Sequence, residues 1–162
     1  FKQKTAYEIP KRDWSSDVCS SDLKNEGRTV LLTREPGGTN LGKNLRKILL
    51  DNATGEIAPR SEALLYAADR AHHVFSLIRP ALERGEIVIT DRYFDSSIAY
   101  QGAGRVLSSS EVARINRWAT ESLFPTLTII LDQPAEIGLS RIKNADRLES
   151  ESIEFHNRVR QE

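Results

Sequence analysis

The sequence predicts an α/β fold in which a parallel sheet carries helices on both faces. Short apolar, β-branched runs at 28–33, 86–90 and 127–131 alternate with longer stretches of helical period. Each run ends in a polar motif: Arg34-Glu35, Asp91-Arg92 and Asp132. In open α/β sheets the ligand crevice lies at such carboxyl ends, so separate stretches of chain converge on one place. A chain of 162 residues is long enough for one domain with a sizeable core.

The elements follow in order. After the first strand, Pro36-Gly37-Gly38 forces a turn. Residues 41–50 read as a helix, with Leu41, Leu45, Ile48 and Leu49 on one face. A loop at 51–59 leads to a long helix at 61–82, disturbed at Pro80, which lacks an N–H and crowds the preceding turn. The second strand, 86–90, ends in Asp91-Arg92, and a helix beginning at 94–101 is ended by Gly102 and Gly104. Ser108 and Glu111 form a capping box for a helix that buries Val112, Ile115, Ala119 and Leu123. The third strand is 127–131. Asp132 caps the next helix, Pro134 suits its first turn, and the helix runs to about Lys143. A short charged loop, 144–150, precedes a helix that continues to the end of the chain.

Composition narrows the function. With 23 basic and 23 acidic residues the net charge is +0, which argues against nonspecific nucleic-acid binding and requires any phosphate site to be a local cluster. No apolar run approaches the roughly 20 residues of a membrane-spanning helix, and no secretion signal is readable. A single Cys permits no intrachain disulfide and fits a reducing compartment.

Residues 1–23 read as foreign to the rest. They carry no helical or strand periodicity, and 13–22 is polar and Ser-rich. The strings KQKTAYEI and DWSSDVCSSDL resemble the translation of an indexed adapter primer, which would make Trp14 and Cys19 non-native; a genuine disordered N-terminus is the alternative. The segment 24–27 looks like the end of a helix, with Gly27 as its stop signal.

The most informative stretch is IVITDRYFDSSIAYQG at 87–102, a buried strand followed by an acid, an arginine fork suited to phosphate, and polar groups at helical spacing. Together with TREPGGT at 33–39 it resembles the thymidylate kinases, and the resemblance extends over 24–162 through LLYAADR, LTIILDQP and DRLESES. It implies a three-layer P-loop NTPase-like fold truncated at both ends: the first, central strand and the loop G-x-x-x-x-G-K-(S/T) are nowhere in the sequence. Residues 24–162 would then be a partial nucleoside monophosphate kinase domain, with a short lid at about 144–150.

The same resemblance assigns roles. Arg92 grips the monophosphate, and Asp91 organises Mg2+ through its water shell. Arg34 and Glu35 lie against the acceptor. Tyr66, where the family usually has Phe, stacks on thymine, and Arg70, four residues on and so on the same helical face, bonds a base carbonyl; Asp69 orients Arg70 or caps its charge. Ser97 and Tyr100 contact base and sugar, with Tyr100 favouring deoxyribose and Gln101 in support. Arg141 and Arg147 are lid residues that contact ATP phosphates, either of them the catalytic arginine; a charged loop is also commonly just solvated.

The activity implied is phosphorylation of dTMP to dTDP with ATP and Mg2+, in the cytoplasm, by a homodimer when complete, with the present chain inactive for want of the phosphate loop. The apolar faces of 64–82 and 112–123 are candidate dimer surfaces, and core burial would explain the same pattern. A non-catalytic dTMP-binding module is the alternative, and a kinase for another monophosphate a weaker third. His72, His73 and His156 read as structural, since adjacent histidines point to different helix faces.

Overall fold

The computed structural model describes residues 14–162. Helix α1 (Trp14–Asn25) leads into strand β1 (Val30–Arg34). Then come α2 (Asn40–Leu50), α3 (Pro59–His73), α4 (Arg79–Glu83) and strand β2 (Ile87–Asp91). Helices α5 (Phe94–Ser97), α6 (Ser109–Ala119), α7 (Ala135–Leu139) and α8 (Ile153–Gln161) complete the order.

The sheet among the described residues is a parallel pair, β1 with β2, in a register that runs from Val30 opposite Ile87 to Arg34 opposite Asp91. Its carboxyl ends therefore lie side by side, and the Glu35 N–H extends the ladder to the Asp91 carbonyl at 3.0 Å. Helix α1 packs on both strands. The core falls into two clusters, one of Leu49, Tyr66, Leu148 and Phe155, the other of Val74, Ile78 and Tyr93.

Local chemistry explains the helix ends. Thr39 caps α2 by accepting from the Gly42 N–H at 2.9 Å. Ser108 caps α6 by accepting from the Glu111 N–H at 3.4 Å, the expected half of the capping box, and Ser152 does the same for α8. Gly27 stops α1 as expected. It has φ of 78°, which favours glycine, while the Arg28 N–H reaches back to the Leu23 carbonyl at 3.0 Å.

Several expectations need correction. Residues 14–25 are helical although they show no readable period, and the 23/24 boundary falls inside α1; residues 1–13 lie outside the described residues. This stretch holds no Pro or Gly, so nothing in it breaks a helix. Residues 127–131 do not form a strand. Leu127, Ile129, Ile130 and Leu131 are 75%, 69%, 81% and 61% exposed, because no described strand supplies the ladder hydrogen bonds that an extended run requires.

The long helix begins at Pro59 and ends at Glu83, and widens into a π-helical turn at Val74–Ile78 just before Pro80. A π turn relieves the clash that proline makes with the carbonyl four residues back. A second π-helical turn, Ile98–Gly104, continues α5. Helix α7 stops at Leu139, short of Lys143. Asp132 does not cap it: its carboxylate accepts from Arg160 Nε and Nη2 at 2.7 and 3.0 Å. Leu41 and Ile48 stay exposed on α2, and Leu49 carries its burial.

Replacing the fully buried Leu49 by Ala leaves a cavity where α2 meets α3. The expected outcome is a loss of about 2–5 kcal/mol of unfolding free energy, read from urea denaturation. A wild-type midpoint in that variant would show that this cluster does not hold the fold.

Candidate functional site

The paired strand ends open onto a cavity of about 360 Å³ whose wall includes Arg34, Glu35, Tyr66, Arg70, Asp91 and Arg92. Ser97, Tyr100 and Gln101 complete the part of the wall that the sequence singled out. Chain stretches far apart in sequence meet here because β1 and β2 end together, Arg70 and His73 of α3 bond to residues at the end of β1, and α5 follows directly after β2.

Arg92 takes φ of 65° immediately after the strand end, a left-handed conformation uncommon for a side chain this large. Its guanidinium lies over the Tyr100 ring, 5.0 Å from the centroid, and Nη2 is 3.5 Å from the Tyr100 hydroxyl. The stack holds a cation at the cavity without spending its charge on a carboxylate. A further cation, Arg46, lines the wall and donates from Nη1 to the Pro36 carbonyl at 3.0 Å. It stands on a helix with no motif around it, so no sequence signal marked it.

The floor is a buried polar chain. Arg70 is 1% exposed and Glu35 3%. Arg70 Nε donates to Glu35 Oε2 at 2.6 Å, and Nη1 donates to Ser97 Oγ at 3.1 Å and to Asn116 Oδ1. Nη2 donates to the Tyr93 carbonyl at 3.2 Å. Ser97, expected at the ligand, thus also props Arg70. Asn116 had no sequence signal, because its partner lies 46 positions away. The Tyr93 hydroxyl donates to the Leu123 carbonyl at 3.1 Å. Burial, and then the Glu35 charge, push its phenol up to about 12.

Asp69 is 1% exposed and makes no hydrogen bond to Arg70, so of its two expected roles only the charge interaction with Arg70 remains, and the Gly37 backbone N–H also favours its ionised form. Burial first, then the charge of Glu35, raise its pKa above the ordinary carboxylate value. Tyr66 is both core and cavity wall, with its phenol pKa raised by burial and by the Glu62 charge.

A second buried acid organises the far side. Glu62 is fully buried and accepts from Gln101 Nε2 at 3.0 Å, from Arg105 Nε at 3.1 Å and Nη2 at 3.0 Å, and from Arg147 Nη2. Burial alone would raise its pKa, but the hydrogen bonds from Arg105, Gln101 and Arg147 outweigh that and hold it below the usual 4.5. Arg147 also donates from Nε to the Leu49 carbonyl at 2.7 Å. It is therefore tied into this cluster and is not part of the cavity wall, and the exposed Arg141 faces Gln133 Oε1 at 3.4 Å, also away from the wall. Both expected lid arginines thus stand outside the cavity in this conformation. Among the described residues no group of three or more His, Cys, Asp or Glu could hold a metal ion.

A family model described as thymidylate kinase matches residues 15–162. The match takes in part of the segment read above as foreign. The chain is 59% identical over 138 residues to a thymidylate kinase of Leifsonia xyli subsp. xyli, covering 83% of this chain and 65% of that protein. It is 54% identical over 143 residues to one of Clavibacter michiganensis subsp. michiganensis, covering 86% and 67%. To one of Halothermothrix orenii it is 50% identical over 145 residues, covering 86% and 70%. The chain spans about two thirds of the length of the curated relatives it matches.

The Glu62 cluster has a pH signature. A carboxylate whose folded pKa is lowered adds stability above its unfolded pKa and loses it as pH falls through the folded value. Glu62→Gln leaves Arg147 without its counter-charge and Arg105 with Glu151 alone, and about 3–5 kcal/mol of stability should be lost near neutral pH. The gap between wild type and Glu62→Gln in denaturant unfolding should close as pH drops below about 4.5. A pH-independent gap would rule out the ionised cluster.

Proposed function

The chain belongs to the thymidylate kinase family, with its P-loop NTPase fold, and from that premise we propose that the cavity is an acceptor site for dTMP. In the complete protein the γ-phosphoryl group of ATP passes to a phosphate oxygen of dTMP. The bond from the γ-phosphorus to the oxygen bridging it to the β-phosphorus breaks, a new P–O bond forms, and dTDP and ADP leave. The observation that carries the reading is the strand register, which sets Arg34 opposite Asp91 and so brings the REPGG turn and the DRY motif to one cavity.

Each residue then has a task. Arg92, held by Tyr100, meets the monophosphate, with Arg34 beside it. Tyr66 offers its ring to the base, and Arg70 a donor to a base carbonyl. Tyr100 crowds the sugar, and Ser97 and Gln101 shape the base pocket. Catalysis of this kind rests on positioning and charge stabilisation, with no covalent step on the protein. Arg141 and Arg147 are lid residues, and closure would have to release Arg147 from Glu62 before it could reach a phosphate.

Mg2+ fits the donor set. Asp91 is exposed at the cavity wall with no hydrogen bond or ion pair on its carboxylate among the described residues, and an ion that keeps most of its waters needs little more from the protein. Bound there, it would offset charge on phosphate oxygens.

The setting proposed is cytosolic, without nucleic acid, and homodimeric in the complete protein. No helix of the described residues is long and apolar enough to cross a membrane. The exposed Leu64, Phe75 and Trp118, on α3, the following π turn and α6, support a dimer surface.

The 162 residues contain no G-x-x-x-x-G-K-(S/T) loop, so this polypeptide should bind dTMP without turning it over. The alternative, a module that only binds dTMP, rests on the same missing loop. A sequencing read across the 5′ end of the gene separates the two, since the enzyme requires the loop to be encoded upstream.

Calorimetric titration of this chain with dTMP should show binding, and Arg92→Ala should weaken it by roughly 10- to 100-fold, the value of a hydrogen bond to a charged group. An ADP-release assay should show no turnover. Absence of dTMP binding would overturn the acceptor-site reading, and turnover by this chain would overturn its predicted inactivity.

A further inference from the structure

His73 is fully buried on α3, and nothing in the proposed reaction uses it. Its Nδ1 is 2.8 Å from Glu35 Oε1, and its Nε2 is 2.7 Å from the Thr33 hydroxyl. A carboxylate only accepts, so Nδ1 carries the proton toward Glu35. The other Glu35 oxygen accepts from Arg70 Nε at 2.6 Å. Thr33, His73, Glu35 and Arg70 thus form one unbroken polar chain, from the end of β1 through α3 to the cavity wall.

The turn after β1 is fitted to this chain. A Cβ on Gly38 would stand 2.5 Å from His73 Nε2 and 2.7 Å from Thr33 Oγ1. Only glycine lets the Pro36-Gly37-Gly38 turn close over that bond without displacing it. The turn, the histidine and the threonine are therefore one packed unit.

The consequence lies at Arg70. Its Nε–H goes to Glu35, both Nη1–H groups go to Ser97 and Asn116, and one Nη2–H goes to the Tyr93 carbonyl. The other Nη2–H has no partner among the described residues, and Arg70 lines the cavity. A guanidinium has donors and no acceptor. Held in one orientation, it favours a ligand carbonyl and rejects an amino group at the same point. Free to rotate, it would lose that discrimination.

We propose that His73 is a positioning residue for base selection: anchored by Thr33, it fixes Glu35, and Glu35 fixes Arg70 so that a single donor meets the carbonyl of a pyrimidine ring. The inference rests on the acceptor-site reading above and deepens it. Removing the imidazole strands Glu35 Oε1 in a buried place, so the carboxylate must turn or take up water, and the Arg70 fork loses the one charged anchor among its four acceptors.

The test compares dTMP with dCMP, which carries an amino group where thymine has its 4-carbonyl, by calorimetric titration of the 162-residue chain. Wild type should prefer dTMP. His73→Ala should lower the preference ratio by about tenfold, the weight of one hydrogen bond to a charged group. His73→Asn, which keeps an N–H near the Nδ1 position, should restore most of the ratio. His73→Gln, whose amide lies nearer Thr33, should not restore it, and Thr33→Val should lower it more weakly. Should the alanine variant fail to fold by circular dichroism, the Asn and Gln pair decides. A wild-type ratio in both His73→Ala and His73→Gln, or equal weakening of both nucleotides, overturns the positioning role and leaves the acceptor-site reading standing. A wild-type chain that binds neither nucleotide overturns both.

Discussion

The parallel pairing of β1 with β2 is the constraint on which the rest depends. Its register sets Arg34 opposite Asp91, and the Glu35 N–H carries the ladder one step further to the Asp91 carbonyl. Because side chains alternate across a strand, a slip of one residue would send Glu35 and its neighbours to the opposite face and dissolve the cavity wall. With the register set, an acid and two arginines from distant parts of the chain face one volume, and the left-handed backbone at Arg92 turns the last of them onto Tyr100.

Two buried acids convert that geometry into a rigid site. Glu35 joins β1 to α3 through Arg70 and His73. Glu62 joins α3 to Arg105, just past the second π turn, and to Arg147 in the 144–150 loop. Taking a carboxylate out of water is repaid only when its lone pairs are filled with good geometry; Glu35 meets that condition with two partners on α3, and Glu62 with partners from several parts of the chain. The exposed pair Arg160–Asp132 is screened by water and contributes far less. Stability and site chemistry thus rest on overlapping residues, and most substitutions in the polar floor should disturb both.

Residues 127–131 show the same rule from the other side. Their sequence is as strand-like as that of β1 or β2, yet they run exposed and unpaired. Strand propensity expresses how well side chains fit a pleated, half-buried surface, and it has no effect without a neighbouring strand to supply that surface. An exposed apolar stretch of this kind is also a ready template for association.

The sequence by itself determined the α/β class, the two strands, the caps at Ser108 and Gly27, and the motifs whose residues line the cavity. These depend on local chemistry: period, β-branching, glycine conformation and the order of polar groups after a strand. Tertiary structure decided what those residues touch. Ser97 supports Arg70, Gln101 and Arg147 are drawn to Glu62, and Asn116 and His73 enter the site without any local mark. It also decided that 14–25 is helical and that 127–131 is not a strand. The contacts of Arg70, Glu35 and Glu62 that settle the buried floor, with that of Arg147 to Leu49, join residues 23 to 98 positions apart. A hydrogen bond over such a separation leaves no periodic trace in the chain, because its partner is chosen only when the helices and strands have packed.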